Sequence, residues 1–389
     1  PYVVRASDRF YFKDASVLIF KNHYKLSPTY LDMFFRTPYW IDRIHAESMG
    51  TTVHTLTIAR ASDVLVPLPP AKEQSRIVTR VEELMQLCDA LEASGRLEAQ
   101  QHAQLVSTLL GTLTQSETPE ALADNWQRIA THFDVLLDRP EAVDALEQTI
   151  LQLAVRGLLV PQDPTDEPAS VLLQKIRTEK DHLIAQGKIK RDKPLPPITD
   201  EEKPFELSQG WEWAMVGHVA DTNTGFAFKS SECKLEGTLV FRVTNIRPDG
   251  SVDLSDSKYI DPRAAETTYK AFNLQAGDVL LVMVGGSLGK IGLVTEDCLP
   301  AVLNQNMWKM AINKNIDRQF FVLSMRFINQ YQLKVTSSTH GHLAQGEYLK
   351  KLIGLPPYAE QVRIVTRVNE LRALCADLRQ RLTAGQTAQ

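Results

Sequence analysis

Apolar residues in two distant stretches of the chain follow the spacing of a long helix that packs against another helix. In the first stretch they recur at intervals of four, three, four and three residues, and the same series returns 287 residues later. The positions are Ile77, Val81, Leu84, Cys88 and Leu91, and then Ile364, Val368, Leu371, Cys375 and Leu378. This spacing is typical of the seam of a coiled coil. For either stretch alone, an ordinary amphipathic core helix is the alternative.

The two stretches are copies of one sequence. Residues 68–92 and 355–379 align without gaps and share 16 of 25 residues. Each copy opens with a pair of prolines, which stops a preceding helix and suits the first turn of a new one. Because a repeat indicates how the whole chain is built, we interpret the two seams as partners in an antiparallel coiled coil.

Further helices and strands are predicted around the repeat. The first long helix should run from Pro70 to about Leu113, which is roughly 65 Å at 1.5 Å per residue. Ser27 is a predicted helix cap, because a serine side chain can accept a hydrogen bond from the first turn. Predicted helices cover residues 30–44, two or three segments within 118–156, 169–186 and 316–331. Predicted strands cover residues 15–20, 239–243, 278–284, 290–294 and 307–312.

The order of strand, helix, polar loop, Pro pair and long helix occurs in both halves, so the repeat includes the end of each globular module. The sequence therefore predicts an α+β fold. It has two mixed α/β modules, separated by long antiparallel coiled-coil helices with a pseudo-twofold internal repeat. The chain opens on Pro1 and its first module is short, which indicates that the start of that module is missing.

Composition limits the class of protein. A chain of 389 residues with 43% hydrophobic residues can form two or three globular domains. No apolar run reaches the length of a membrane span. The four cysteines have no metal-binding spacing, and two of them lie on the seams, so we expect a reduced, cytoplasmic protein.

The net charge of −4 is unevenly distributed. Residues 67–205 carry 15 basic and 23 acidic side chains, so the acidity belongs to the helical middle of the chain. A surface that faces nucleic acid can still be basic, because the local patch matters more than the sum. The basic run at residues 188–193 could contact phosphates, or it could be a solvated linker.

Motifs that could carry catalysis are incomplete. Residues 284–291 resemble a phosphate-binding loop, but Val284 and Ile291 stand where that motif needs glycine and serine or threonine. A turn between two strands is the better interpretation. His340 and His342 could bind a metal ion only with a third ligand. We therefore predict no catalytic residue and no metal site in this chain.

Several motifs together resemble a known family. These are the Leu-Pro-Pro motif with Glu73, Gln74, Arg76, Ile77 and Val78, its second copy, and Gly210-Trp211-Glu212-Trp213. They resemble the specificity subunit of type I restriction-modification systems, in which two target-recognition domains are held apart by two long antiparallel helices. On that model the chain divides into the end of a first target-recognition domain (1–66), a central long helix (67–117), a helical spacer and linker (118–205), a second target-recognition domain (206–354) and a C-terminal long helix (355–389).

The resemblance implies a DNA-binding subunit that is not itself an enzyme. It implies double-stranded DNA with a split target, two methyltransferase (M) subunits that bind S-adenosylmethionine, and two restriction (R) subunits that use ATP and Mg. No cofactor is expected on this chain. Two alternatives stay open, namely a coiled-coil scaffold that binds only protein, and a recognition module fused to an enzyme.

Residues that could contact DNA lie near predicted strand ends and in polar loops. Arginine can read guanine, and asparagine or glutamine can read adenine, while hydroxyl groups and lysines bind phosphates. The candidates are Lys229, Arg242, Asn245, Arg247, Lys290, Asn304, Gln305, Asn306, Thr336, Ser337, Ser338, His340, His342, Lys350 and Lys351, with Thr51, Thr52 and His54 in the first module. Each could instead close a turn or face solvent.

Overall fold

In a computed structural model, the chain divides into two compact units, Pro1–His102 and Ala103–Gln389. The structure describes residues 1–9, 11, 17–23, 25–45, 58–116, 118–187, 195–333 and 343–387. The fold is a mixture of helices and sheets with long helices, which confirms the fold class at that level.

Helices are the secondary-structure elements among the described residues of the first unit, and they form much of the second. Their bounds are α1 Pro28–Phe34, α2 Pro38–His45, α3 Ile58–Ser62, α4 Ala71–Thr114, α5 Pro119–Thr131, α6 Phe133–Leu136, α7 Pro140–Arg156, α8 Ala169–Ala185, α9 Val216–Val219, α10 Pro262–Glu266, α11 Arg318–Phe327, α12 Gln345–Leu349 and α13 Tyr358–Thr387. The boundary between the two units falls within α4.

The described strands all lie in the second unit. They are β1 Glu212–Met215, β2 Ala220–Thr224, β3 Thr238–Phe241, β4 Lys258–Ile260, β5 Val279–Val282, β6 Ile291–Leu293, β7 Ala301–Leu303, β8 Met307–Ile312 and β9 Leu352–Leu355. One sheet has the order β2-β8-β5-β6, another has the order β4-β3-β7, and β1 pairs with β9. Within the second of these sheets β3 and β7 are parallel.

The prediction of one helix over residues 30–44 is wrong in one respect, because the structure has two helices in this segment. The Ser27 side chain caps α1 as predicted, accepting a hydrogen bond from the Tyr30 backbone N–H. Helix α1 ends at Phe34, and α2 begins at Pro38. A proline lacks the N–H that a helix interior needs and restricts the residue before it, so a new helix starts there.

The last turns of α4 belong to the core of the second unit. Val106, Leu110 and Leu113 are buried in one cluster with Ile129 of α5 and Val143 of α7. Gly157 ends α7 with a left-handed backbone (φ 74°). A side chain at this position would also collide with the Trp211 ring, since an added Cβ would lie 2.9 Å from it.

Trp211 joins the start of the second module to its end. The strand that follows it, β1, pairs antiparallel with β9, and Glu212 lies opposite Leu355. The indole packs edge-on against Phe320 of α11, and the backbone of Gly210 accepts a hydrogen bond from Ala169 at the start of α8. The Gly-Trp-Glu-Trp motif is therefore fixed beside the second Leu-Pro-Pro motif.

The two predicted seams have different surroundings. In α13, Ile364, Val368 and Cys375 are buried, and α13 packs on α7 and α11 of its own unit. In α4, by contrast, Leu84 and Leu91 are 45% and 65% exposed. The pairing of the two seams with each other stays a prediction, since a heptad pattern shows that a helix will pack but not against which partner.

A buried glutamine after each Pro pair makes the same two hydrogen bonds in both copies of the repeat. Gln74 accepts from the Ser27 backbone N–H at 3.0 Å and donates to the first proline carbonyl of its pair at 2.9 Å. Gln361 accepts from the Asp317 backbone N–H at 2.8 Å and donates to the corresponding proline carbonyl at 3.0 Å. Ser27 and Asp317 cap α1 and α11, so each long helix begins tied to the cap of a helix in its module.

Candidate nucleic-acid interface

Four of the candidate residues follow two neighbouring strands at the same edge of a sheet. Because β3 and β7 are parallel and Phe241 lies opposite Leu303, the residues after both strands emerge together. The Asn304 backbone N–H donates to the Phe241 carbonyl at 3.1 Å. We call this set the strand-end group, and it consists of Arg242, Asn304, Gln305 and Asn306.

The side chains of the strand-end group are partly free to bind a ligand. Gln305 is exposed, and the Asn304 amide oxygen accepts from the Gln305 backbone N–H at 2.8 Å. The Asn304 amide nitrogen has no hydrogen bond to the described residues. Asn306 has a left-handed backbone (φ 71°), and its carbonyl accepts from the Met283 N–H at 3.0 Å. Asn306 therefore turns the chain into β8.

Arg242 is held by the loop that follows it. Its Nη2 donates to the Asp256 carboxylate at 3.1 Å and also to the Asp256 carbonyl. The side chain is 22% exposed, and its Nε is buried without a hydrogen-bond partner among the described residues. To reach a base, this guanidinium must exchange its contacts with Asp256 for contacts with DNA.

Asn245 and Arg247 have different roles in the same loop. Asn245 is 1% exposed, accepts from the Arg242 N–H at 2.8 Å and donates to the Asp253 carbonyl at 2.9 Å, so it closes the turn and presents nothing to a ligand. Arg247 is 58% exposed and pairs with the Asp253 carboxylate at 3.0 Å. Hydrogen bonds from the Ser255 backbone and side chain, and then from Arg247, lower the pKa of Asp253 to about 2.

The candidate lysines are not gathered at one place. Lys229 is exposed, and Lys350 pairs with Glu347 at 2.9 Å. The Lys351 ammonium donates to the Gln332 carbonyl at 3.1 Å, while Lys290 lines a cavity beside α11 and α13. The candidates Thr51, Thr52, His54, Thr336, Ser337, Ser338, His340 and His342 lie outside the described residues, as does the basic run at 188–193.

An aromatic cluster beside the strand-end group is absent from the sequence prediction. Phe226 bridges to Asn304 through the backbone, and its ring lies 5.2, 5.0 and 5.3 Å from the rings of Phe228, Tyr269 and Phe272. The alternation of Phe226 and Phe228 was the available signal, since side chains two residues apart in an extended segment share one face. The cluster is therefore joined to the strand-end group through the backbone of Phe226.

The rest of the described chain shows neither a metal centre nor a spanning helix. No group of three metal-binding side chains occurs among the described residues. None of the described helices is both long enough and apolar enough to cross a membrane. The near-match to a phosphate loop forms a short 3-10 turn at Gly285–Ser287 between β5 and β6, which confirms the prediction of a turn.

Comparisons with known proteins converge on one family. Residues 208–385 match the model of the type I restriction modification DNA specificity domain. Over 330 residues the chain is 41% identical to the specificity subunit of the type I restriction enzyme EcoAI from Escherichia coli, covering 83% of this chain and 56% of that protein. The EcoEI specificity subunit from the same organism is 34% identical over 333 residues, with the same coverage.

The chain thus spans about half the length of these curated relatives. Among solved structures, a chain from a study of complex assembly and conformational transition in a type I R-M system aligns with a TM-score of 0.51. The alignment has 18% identity and covers 93% of this chain and 68% of the other. At this level of identity the likeness shows a shared fold alone.

Proposed function

Because the chain belongs to the family of type I restriction-modification specificity subunits, we propose that it recognises a DNA sequence on behalf of such a complex. The match of residues 208–385 to a DNA specificity domain carries the proposal. The strand-end group supports it, since amide and guanidinium side chains are the groups that read base edges in the major groove. These groups stand together at one sheet edge.

We propose that the candidate residues contact different parts of the DNA. Asn304, Gln305 and Arg242 read bases, while Arg247 and Lys229 contact the phosphate backbone and fix the register. Lys350, Lys351 and the hydroxyl and imidazole groups of residues 336–342 add phosphate contacts, and residues 51–54 do the same in the first module. Asn245 holds the loop in shape and does not touch DNA.

The domain organisation follows the predicted repeat. Residues 1–66 are the end of a first target-recognition domain and residues 206–354 are the second, and each reads half of a split target. Residues 67–117 and 355–389 form the two long helices that set the gap between the half-sites. The acidic segment 118–205 is a surface for docking partner subunits.

The proposed partners are double-stranded DNA, two methyltransferase subunits and two restriction subunits, in the cytoplasm. S-adenosylmethionine belongs to the methyltransferase subunits, and ATP and Mg belong to the restriction subunits. The chain itself contributes specificity and no catalytic step. A protein-binding scaffold, the alternative function, predicts no preference among DNA sequences even when the partners are present.

Replacing Gln305 with alanine is expected to relax specificity at one base position of the target. A lost amide contact to a base corresponds to about 1–3 kcal/mol of discrimination, or at least about fivefold in relative affinity. Competition binding by the complex with its methyltransferase subunits, using single-base variants of the target, measures this. Gln174→Ala, an exposed glutamine on α8, is the control. If the variant keeps the same base preference at every position of the target, Gln305 does not read a base.

Inserting four residues after Gly95 is expected to lengthen the gap in the target by about one to two base pairs. The insertion adds about 6 Å of helix, against 3.4 Å per base step. Gly95 is suited to the change because, apart from its chain neighbours and the adjacent backbone of its own helix, no atom lies within 4 Å of the position of an added Cβ. The methylated motif of the variant gives the gap directly. Gly95→Ala should keep the original gap, and an unchanged gap after the insertion would show that α4 is not the spacer.

A further inference from the structure

The second unit contains a cavity of about 560 Å³ that none of the assignments above uses. Helices α7, α11 and α13 line it together with the turn at residues 248–250 and the turn before β6. Four basic side chains line it from three different elements: Lys290 from the β5–β6 turn, Arg326 from α11, and Arg372 and Arg379 from α13. Its volume is within the range of about 300–1,000 Å³ that small-molecule sites occupy.

The acidic residues of the cavity already have partners. Asp144 and Glu147 of α7 bind the Arg379 guanidinium, at 2.5 and 3.2 Å. The Asp249 carboxylate accepts hydrogen bonds from the backbone and side chain of Ser251, at 2.9 and 2.7 Å. Asp249 and Glu147 still attract the Arg326 guanidinium, so three acidic side chains offset part of the charge of the four basic side chains that line the cavity.

The side chains of Lys290, Arg326 and Arg372 make no hydrogen bond or ion pair with the described residues. Arg326 is half-buried, and its pKa is lowered first by burial and then by the charge of Arg372, against smaller opposing effects of Asp249 and Glu147. Two like charges therefore face each other in a partly desolvated space. An anion bound between the two guanidinium groups would reduce their repulsion further.

The neighbouring turn is shaped around the Arg326 guanidinium. Gly250 has a left-handed backbone (φ 90°), and a Cβ added there would lie 3.3 Å from Arg326 Nη2 and 2.9 Å from the Ile291 carbonyl. Any larger residue would thus press on the guanidinium and on β6. The left-handed backbone and the nearby Ile291 carbonyl therefore favour glycine at this turn, which leaves space for the guanidinium beside it.

We propose that this cavity binds a phosphate group between Arg326, Arg372 and Lys290. Guanidinium groups present paired N–H donors that match the oxygens of phosphate, and a lysine adds a compact charge. The phosphate belongs either to a small phosphorylated molecule or to the backbone of bound DNA. The cavity alone carries the inference of a phosphate site, and only the assignment of that phosphate to DNA rests on the proposed function.

The test uses the full chain with inorganic phosphate and pyrophosphate as probes, at an ionic strength held constant with chloride. We expect a saturable rise in the melting temperature and broadening of the probe's phosphorus NMR signal. Arg372→Gln should weaken pyrophosphate binding about tenfold or more, as for the loss of a charged hydrogen bond. Arg367→Gln is the matched control, because Arg367 is on the same helix but pairs with Glu370 and does not line the cavity.

Duplex binding then distinguishes the two sources of phosphate. If Arg372→Gln also lowers the salt dependence of duplex affinity by about one counter-ion, the cavity holds a DNA phosphate. If duplex affinity is unchanged while pyrophosphate binding is lost, the ligand is a small molecule. Arg372 is exposed, so its replacement should not disturb folding. The proposal is overturned if neither probe gives a saturable change, or if Arg372→Gln binds pyrophosphate as tightly as the unaltered chain does.

Discussion

Replacing Gln361 with alanine is expected to lower the free energy of unfolding of the second unit by about 2–4 kcal/mol. The side chain is fully buried and satisfies two backbone groups, the Asp317 N–H and the Pro356 carbonyl. Alanine leaves both groups buried without a partner, and each unsatisfied group costs about 1–3 kcal/mol. The loss also frees the N-terminus of α11 from the start of α13.

Denaturant unfolding of the full chain measures this effect. Gln380→Ala on the same helix is the matched control, since Gln380 is exposed and its loss should change stability by less than about 0.5 kcal/mol. Gln74→Ala should destabilise the first unit for the same reason, because Gln74 makes the equivalent bonds. If Gln361→Ala and Gln380→Ala are equally stable, the hydrogen bonds of Gln361 do not stabilise the packing of α13 on α11.

Replacing Gly225 with alanine is expected to destabilise the second unit by about 1–3 kcal/mol, as overpacking of a tight contact does, and to abolish sequence recognition. An added Cβ would lie 1.9 Å from the Asn304 carbonyl oxygen and 2.8 Å from that of Leu303. Both are backbone atoms, so the strand end itself must move. The hydrogen bonds that join Phe226 to Leu303 and Gln305 would break, displacing the proposed base-reading side chains.

The matched control for this change is Gly286→Ala. Apart from its chain neighbours and nearby backbone, no atom lies within 4 Å of a Cβ added at Gly286, so the stability of this variant should equal that of the unaltered chain. Circular dichroism melts and duplex binding by the assembled complex measure the two consequences separately. If Gly225→Ala keeps both its stability and its target preference, the close approach at the strand end is not required for recognition.

Long, strongly patterned elements were predictable from the sequence. The first long helix was predicted from Pro70 to about Leu113 and runs over Ala71–Thr114, because the Pro pair marks its start and the apolar spacing continues through it. The strand at residues 307–312 was predicted with its observed bounds. Its residues fit a buried strand, and the turn at Asn306 precedes it.

Features that depend on tertiary contacts were not predictable in the same way. The pairing of β1 with β9 joins segments about 140 residues apart, and nothing local in either segment specifies the other. The burial of Asn245 follows from its bonds to Arg242 and Asp253, whereas from sequence alone an asparagine near a strand end is equally suited to contact DNA. The break at Pro38, however, had a local signal in the proline itself.

The central claim, that this chain chooses the DNA sequence, is tested most directly by mapping methylated adenines. The intact gene and the gene of its methyltransferase partner are placed, together and separately, in a host that lacks adenine methylation. Single-molecule sequencing should then detect one split motif only when both genes are present. Methylation of the same motif by the methyltransferase gene alone would contradict the account, as would the absence of any motif when both proteins are made and form a complex.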